Sequence, residues 1–229
     1  MIMDIATNIA QIQDRIAAVC QSCGRNAENV RLVAVSKKKP AADIEAAVTA
    51  GQTLLGESYV QECVAKIGSL KVAAEWHFIG ALQSNKVKHL RGKVAMIHSV
   101  DRLSLASEID RQWAKDDACV DILIQVNLGE EESKSGTTAS DLIALVNHVA
   151  KLQHVRIKGL MALPPWAADS EAVRPYFRQL RELAEQIDAL ALPDVTMQEL
   201  SMGMSHDFEV AIEEGSTMVR VGTAIFGAR

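Results

Sequence analysis

The sequence predicts an α/β protein, a single-domain (β/α)8 barrel of the TIM type, on three observations. Eight short β-favouring runs recur between Arg31 and Phe226, and helix-like stretches separate most of them. The GxGxxG that would open the first helix of a doubly wound nucleotide-binding sheet is missing after the first run. Alternating strands and helices make neighbouring strands parallel with right-handed crossovers, and eight such units suit a closed barrel. A chain of 229 residues is the right size for one barrel, and no linker, repeat or low-complexity tract divides it, so residues 1–229 are expected to form one domain.

The first segment, residues 1–24, places Ile5, Ile9, Ile12, Ile16 and Val19 at alternating spacings of four and three, one apolar face of a helix. Gly24 ends it, and the helix is expected to pack on the barrel. The predicted strands are "RLVAVS" from Arg31, "TLLGES" from Thr53, "EWHFIG" from Glu75 and "MIHSV" from Met96. They continue with "DILIQVNL" from Asp121, "VRIKGLMAL" from Val155, "VTMQELSMG" from Val195 and "MVRVGTAIF" from Met218. Helical stretches are expected over Ala41 to Ala50, Tyr59 to Lys66, Ser84 to Leu90, Arg102 to Trp113, Ala139 to Leu152, Val173 to Leu190 and Ser205 to Glu214. The longest loop is "GEEESKSGTTAS", Gly129 to Ser140.

Composition narrows the function classes. Hydrophobic residues make up 48% and charged residues 23%, ordinary for a globular protein. A net charge of -5 with no long basic block argues against nucleic acid as a partner. No basic leader with an apolar block opens the chain and no apolar run would span a bilayer, so a cytoplasmic, membrane-free protein is expected. Cys20 and Cys23 form a CxxC at the end of a helical pattern, without the preceding strand of a redox motif. Cys63 and Cys119 stand alone and the six histidines show neither HxH nor HExxH, so no metal site is expected.

The chemistry centres on "RLVAVSKKKP". Reactive groups in such barrels sit where strands end and βα loops begin. Side chains alternate along a strand, so Val33, Val35 and Lys37 share one face. If the valines point inward, Lys37 is aimed at the barrel mouth, where partial desolvation favours a neutral, nucleophilic amine. Lys38 would face outward and Lys39 would lie in the turn before Pro40. The alternative is a solvated basic loop.

The far end of the chain supplies a counterpart. "LSMGMSHDFEVAIEEG" ends a strand in Ser201, Gly203 and Ser205, with Ser205 a candidate N-cap. "VRVGTAIFG" then offers Gly222 and Thr223 after the eighth strand, and loops after strands seven and eight often bind phosphate in barrels. A lysine at strand one facing a phosphate cradle suits a phosphorylated aldehyde, and pyridoxal phosphate is the candidate cofactor. Arg220, between Val219 and Val221, is either the partner of a buried acid or a ligand contact. At the ring nitrogen, its permanent charge would forbid protonation there and leave the ring a weak electron sink.

"AVSKKKP", "GESYVQE", "EWHFIGALQSNK", "SKSG", "GLMAL", "LSMGMSHDFEVAI" and "STMVRVGTAIFGAR" resemble the pyridoxal phosphate homeostasis protein family, also called the YggS or PROSC family, from about Arg31 to Arg229. The resemblance implies a barrel similar to the N-terminal domain of alanine racemase, of the fold type III class. It implies pyridoxal 5'-phosphate in Schiff-base linkage to Lys37, phosphate held by Ser205, Gly222 and Thr223, and Arg220 facing the pyridine nitrogen. This chain has Ser58 where the family's "GENY" has an asparagine near the cofactor. His77 and Asn85 lie in family motifs, and His77 is read either as a ring contact or as a hydrogen-bonded core histidine. Ser201 is counted among the expected cofactor contacts. Lys134 matches a second family lysine able to receive the cofactor, although its loop setting alone suggests a solvated charge.

The leading expectation is a carrier in intracellular cofactor homeostasis that holds pyridoxal phosphate reversibly, buffers it or passes it to apoenzymes, catalyses no net reaction, and is monomeric. A racemase or related enzyme is the alternative, and Tyr59 and Tyr176 are the only tyrosines for a second base. A cofactor-free Schiff-base aldolase is the third reading. Trp166, after Pro164 and Pro165, is a candidate contact site or lid.

Overall fold

In the computed structural model, which describes residues 4–129 and 135–227, β-favouring runs and amphipathic helices alternate as the sequence predicts. The chain opens with helix α1 (Ile5–Ser22), capped by Asp4, whose carboxylate accepts the Ala6 N–H and the Thr7 hydroxyl. The strands are β1 (Arg31–Val35), β2 (Leu54–Glu57), β3 (Glu75–Phe78), β4 (Met96–Val100), β5 (Val120–Val126), β6 (Val155–Ala162), β7 (Val195–Met204) and β8 (Met218–Val221). The connecting helices are α2 (Ala41–Thr49), α3 (Val60–Ser69), α4 (Leu103–Trp113), α5 (Ala139–Val149), α6 (Arg174–Asp188), α7 (Phe208–Glu213) and α8 (Thr223–Phe226). Among the described residues the eight strands are all parallel and pair in chain order, and β8 closes on β1 through Arg31 opposite Met218 and Ala34 opposite Val221.

Two apolar layers hold the fold. Val33, Met96, Leu123, Met161 and Met218 fill the barrel interior, while Leu32, Ala34, Leu55, Phe78 and Ile122 face outward under the helices with Ile44, Ile109, Leu142 and Phe177. Val33 and Val35 therefore point inward and Ala34 outward, as strand alternation requires. Ile5, Ile9, Ile12 and Ile16 are buried, with α1 lying against α2, α7 and α8. Arg15 of α1 sits 4.6 Å over the Phe208 ring, and Asn8 donates to the Ile225 carbonyl at 2.9 Å.

Four local expectations are corrected. The eighth strand stops at Val221 instead of running to Phe226, because Ile225 and Phe226 turn into α8 and bury against α1. Ser205 is not an N-cap: β7 runs through Met204, and Asp207 sits at the α7 N-cap position and accepts the Met204 N–H at 2.6 Å. Ser84–His89 forms 3-10 turns. The strand carrying the lysines ends at Val35, so Lys37 lies in the following turn. Among the described residues no helix is long and apolar enough to cross a membrane, and no group of three or more His, Cys, Asp or Glu could hold a metal ion.

Candidate functional site

A cavity of about 330 Å³ opens at the C-terminal ends of the strands, within the size range of small-molecule sites. Val35 and Met204 end β1 and β7 in its wall, and Ser58, Ile79, Leu163 and Gly222 follow β2, β3, β6 and β8. Lys37, Ser58, Ser205, Arg220, Gly222 and Thr223 all line it. Closure at the β8–β1 seam thus brings Lys37 to the same cavity as Arg220, Gly222 and Thr223, more than 180 positions away in the chain.

The turn bearing Lys37 is pinned on both sides. Ser36 donates its N–H to the Gly56 carbonyl at 3.0 Å and its hydroxyl to Glu57 Oε1 at 2.7 Å. Its carbonyl accepts from Lys66 Nζ at 2.6 Å and from the Lys39 N–H at 3.0 Å. On the other side, the Lys38 N–H donates to Glu62 at 2.5 Å. Lys38 adopts φ 60, a left-handed conformation rare outside glycine and held here by that contact. Its ammonium lies 5.7 Å from the Tyr59 ring centroid. Lys39 also lines the cavity and donates to the carbonyls of Phe226 and Gly227 at 2.8 and 3.1 Å, tying this turn to the end of α8.

Behind the turn, Glu57 is fully buried, and Lys66 bonds its Oε1 at 2.6 Å and Glu62 Oε1 at 2.7 Å. Burial raises the Glu57 pKa, opposed by the hydrogen bonds from Lys66 and Ser36. Sequence reading missed Glu57, Glu62, Lys66 and Lys39. The one legible signal was the i, i+4 spacing of Glu62 and Lys66 on a helix.

Across the cavity, Ser205 Oγ accepts from the Ala224 N–H at 3.5 Å, which joins the β7 and β8 loops. Gly222 comes so close to β1 that an added Cβ would meet Val35 Cβ and O at 3.3 Å. Arg220 is buried, and burial lowers its pKa to about 10, opposed by the charge of Asp207. Its guanidinium donates to Ser201 Oγ at 2.6 Å and to the Ala162 carbonyl at 2.9 Å. Both are neutral oxygens, so neither contact is the buried acid that the sequence left open.

His77 and Ser201 do not line the cavity. His77 is buried and lies towards the opposite end of the barrel, where it hydrogen-bonds Glu75 and His98 and borders a second cavity with Arg31 and Glu199. The strands are tilted, so the ladder that starts at Val35 in the mouth passes through Gly56 to His77 deep in the barrel. Ser201 sits beneath Arg220. Asn85 is exposed and away from the cavity, and Tyr59 is 46% exposed and absent from its wall. Trp166 is 79% exposed and lines the rim, its ring stacked 6.5 Å from that of His206. Lys134 lies outside the described residues.

Comparison with known proteins places this arrangement. The family profile "Alanine racemase, N-terminal domain" matches residues 7–229. A pyridoxal phosphate homeostasis protein of Aquifex aeolicus is 44% identical over 99% of both chains, and one of Escherichia coli K12 is 45% identical over 99% of this chain and 97% of that one. The chain belongs to the pyridoxal phosphate homeostasis protein family. Among solved structures, PipY of Synechococcus elongatus with PLP bound matches this family member at 36% identity and TM-score 0.85, covering 97% of this chain and 100% of PipY. Alanine racemase of Corynebacterium glutamicum, at 14% identity and TM-score 0.68, shares the fold with this family member over 95% of the chain and 60% of its own length.

Proposed function

We propose that this chain binds pyridoxal 5'-phosphate reversibly in the mouth cavity, covalently through Lys37, and serves intracellular cofactor homeostasis without a net reaction of its own. The observation that carries this reading is the convergence of Lys37, Ser205, Thr223 and Arg220 on one cavity in a chain that matches homeostasis proteins along its whole length.

The residues fit the cofactor in kind. Bound there, pyridoxal phosphate supplies an aldehyde that condenses reversibly with an amine. The Lys37 amine is the nucleophile, its backbone held by Ser36 and by Lys38 in a left-handed turn. The hydroxyls of Ser205 and Thr223, beside Gly222 in the same wall, suit the phosphate. Arg220 would be the group to meet the pyridine nitrogen, where a side chain that donates and cannot accept would keep that nitrogen unprotonated. Ser58 contributes a hydroxyl to the wall. The cavity mouth stays open to small amines that release the cofactor by exchange, and apoenzymes are the recipients in this reading. The protein acts as a cytoplasmic monomer.

The test is to load the protein with pyridoxal phosphate, record the visible spectrum before and after borohydride reduction, and map the added mass in wild type and Lys37→Ala. The expected result is one reduced adduct on Lys37, lost in the variant. Absence of any band or adduct from wild type overturns the reading and directs the search to cofactor-free sugar-phosphate chemistry. Loss of an α-proton from an amino acid by the loaded protein, followed by deuterium exchange, would instead make it an enzyme.

A further inference from the structure

Beneath the candidate cofactor site a file of polar groups crosses the barrel interior. Arg220 donates to Ser201 Oγ at 2.6 Å, and Ser201 Oγ lies 2.9 Å from His98 Nδ1. His98 Nε2 lies 2.9 Å from His77 Nδ1, and His77 Nε2 lies 2.7 Å from Glu75 Oε1. Ser201, His98 and His77 are each 0% exposed, and they interrupt an interior otherwise filled by Val33, Leu123 and Met161. Three buried polar side chains in an apolar core need partners, and here each finds them in the next.

The two ends give the file a direction. A guanidinium can only donate, and an ionised carboxylate can only accept. The His77 hydrogen bond lowers the Glu75 pKa, against burial and with help from the charge of Arg31, so Glu75 is the accepting end. His98 is kept neutral first by burial, and the charge of Arg220 acts in the same direction. With neutral rings, His77 Nε2–H donates to Glu75 and leaves His77 Nδ1 to accept. His98 must then donate from Nε2 and accept at Nδ1, so the Ser201 hydroxyl donates to His98 and its oxygen is left for Arg220. With one proton on each ring, a single donor order satisfies every member, and it runs from Arg220 to Glu75.

We propose that Ser201, His98, His77 and Glu75 form a one-way hydrogen-bond file that positions Arg220 for the cofactor ring from the opposite end of the barrel. The Arg220 end rests on the reading that this guanidinium faces bound pyridoxal phosphate. The Glu75 end opens into a second cavity of about 210 Å³, shared with Arg31, His77, Asp121, Lys158 and Glu199. There Arg31 approaches Glu75 at 3.8 Å while bonding Glu199 at 2.6 Å. The accepting end of the file is thus reachable from solvent, far from the mouth. These are positioning residues, and their effect on the cofactor passes through Arg220.

Two measurements test the proposal. Nitrogen-15 NMR of the histidine rings in the cofactor-free protein should show His77 and His98 both as the Nε2–H tautomer. Visible spectra and equilibrium titrations with pyridoxal phosphate should then show a shifted band and roughly 2- to 10-fold weaker binding in Ser201→Ala and in Glu75→Leu, the range of one lost hydrogen bond. Glu75→Gln, which keeps an acceptor, should restore the spectrum. Glu75 is about half exposed, so that pair of variants probes the file with the core intact.

An Nδ1–H tautomer on either ring overturns the donor order. Wild-type binding with unchanged spectrum and affinity in both Ser201→Ala and Glu75→Leu overturns the positioning role. A wild-type protein with no Lys37 adduct but the expected tautomers overturns the cofactor reading and this proposal's Arg220 end with it, while the file's donor order stands.

Discussion

Replacing Lys66 by methionine should be among the most destabilising single changes near the site. The Lys66 ammonium spends its three hydrogens on the Ser36 carbonyl at 2.6 Å, Glu57 Oε1 at 2.6 Å and Glu62 Oε1 at 2.7 Å. The Lys66 and Glu57 side chains are 10% and 0% exposed, against 23% for Glu62, so the Glu57 contact dominates the cost. Removing one member of a buried ion pair costs about 3–5 kcal/mol. With about 2–4 °C of Tm per kcal/mol in a domain this long, Lys66→Met should lower Tm by roughly 6–20 °C.

The same change has a pH signature. Burial already raises the Glu57 pKa, and losing Lys66 raises it further. The folded variant then holds a proton that the unfolded chain releases, so its stability falls as pH rises above the ordinary carboxylate value. The deficit relative to wild type should be smallest below about pH 4.5, that ordinary value, and grow towards neutrality. Glu57 Oε2 meets no partner among the described residues, so the double variant Lys66→Met, Glu57→Leu should regain at least half of the loss. The assay is urea denaturation at several pH values. A loss below about 1 kcal/mol, a pH-independent loss, or a double variant no more stable than the single one would refute the reasoning.

Iodoacetamide should modify Cys23 and Cys119 in the native protein and spare Cys20 and Cys63, which are buried, with the Cys63 thiol pushed up to about 12 by burial. Peptide mapping should show protection of Cys63 by roughly a hundredfold or more, lost in denaturant, and rapid native labelling there would contradict the packing of α3. Glu214 takes hydrogen bonds from Arg174 and Arg178 at 3.1 and 2.9 Å, which hold its pKa below 4.5 although burial opposes them. Its contribution is full above that value and lost as pH falls through the folded one, so Glu214→Gln should lower Tm at pH 7 and converge with wild type at strongly acid pH. A constant offset down to acid unfolding would exclude the ionic contribution.

The legible parts of the site were those whose chemistry sits in a short stretch. Lys37 was readable as a cavity residue because the strand of Val33 and Val35 delivers the chain to the mouth just before it, and the loop after β8 because Gly222 and Thr223 follow a buried strand. The depth of His77 was not legible because sequence shows that a histidine lies in a short strand but not how high that strand sits in a tilted barrel. Its register opposite Gly56 and Met96, set by ladder hydrogen bonds to two other strands, decides that height. The four residues of α8 read as strand because Thr, Ile and Phe favour β structure, a preference that packing against α1 overrides.

By itself the sequence determined the alternation of strands and helices, the lysine turn and the loops facing it, since periodicity and turn chemistry act over a few residues. Only the tertiary structure decided which polar groups share the interior. Glu57 meets Lys66 where α3 folds back on β2, and Glu75 and His77 meet His98, Ser201 and Arg220 through strand register across the barrel interior. Such contacts depend on how strands and helices pack in three dimensions, and a buried polar group is bound to whichever partner the closed barrel places beside it.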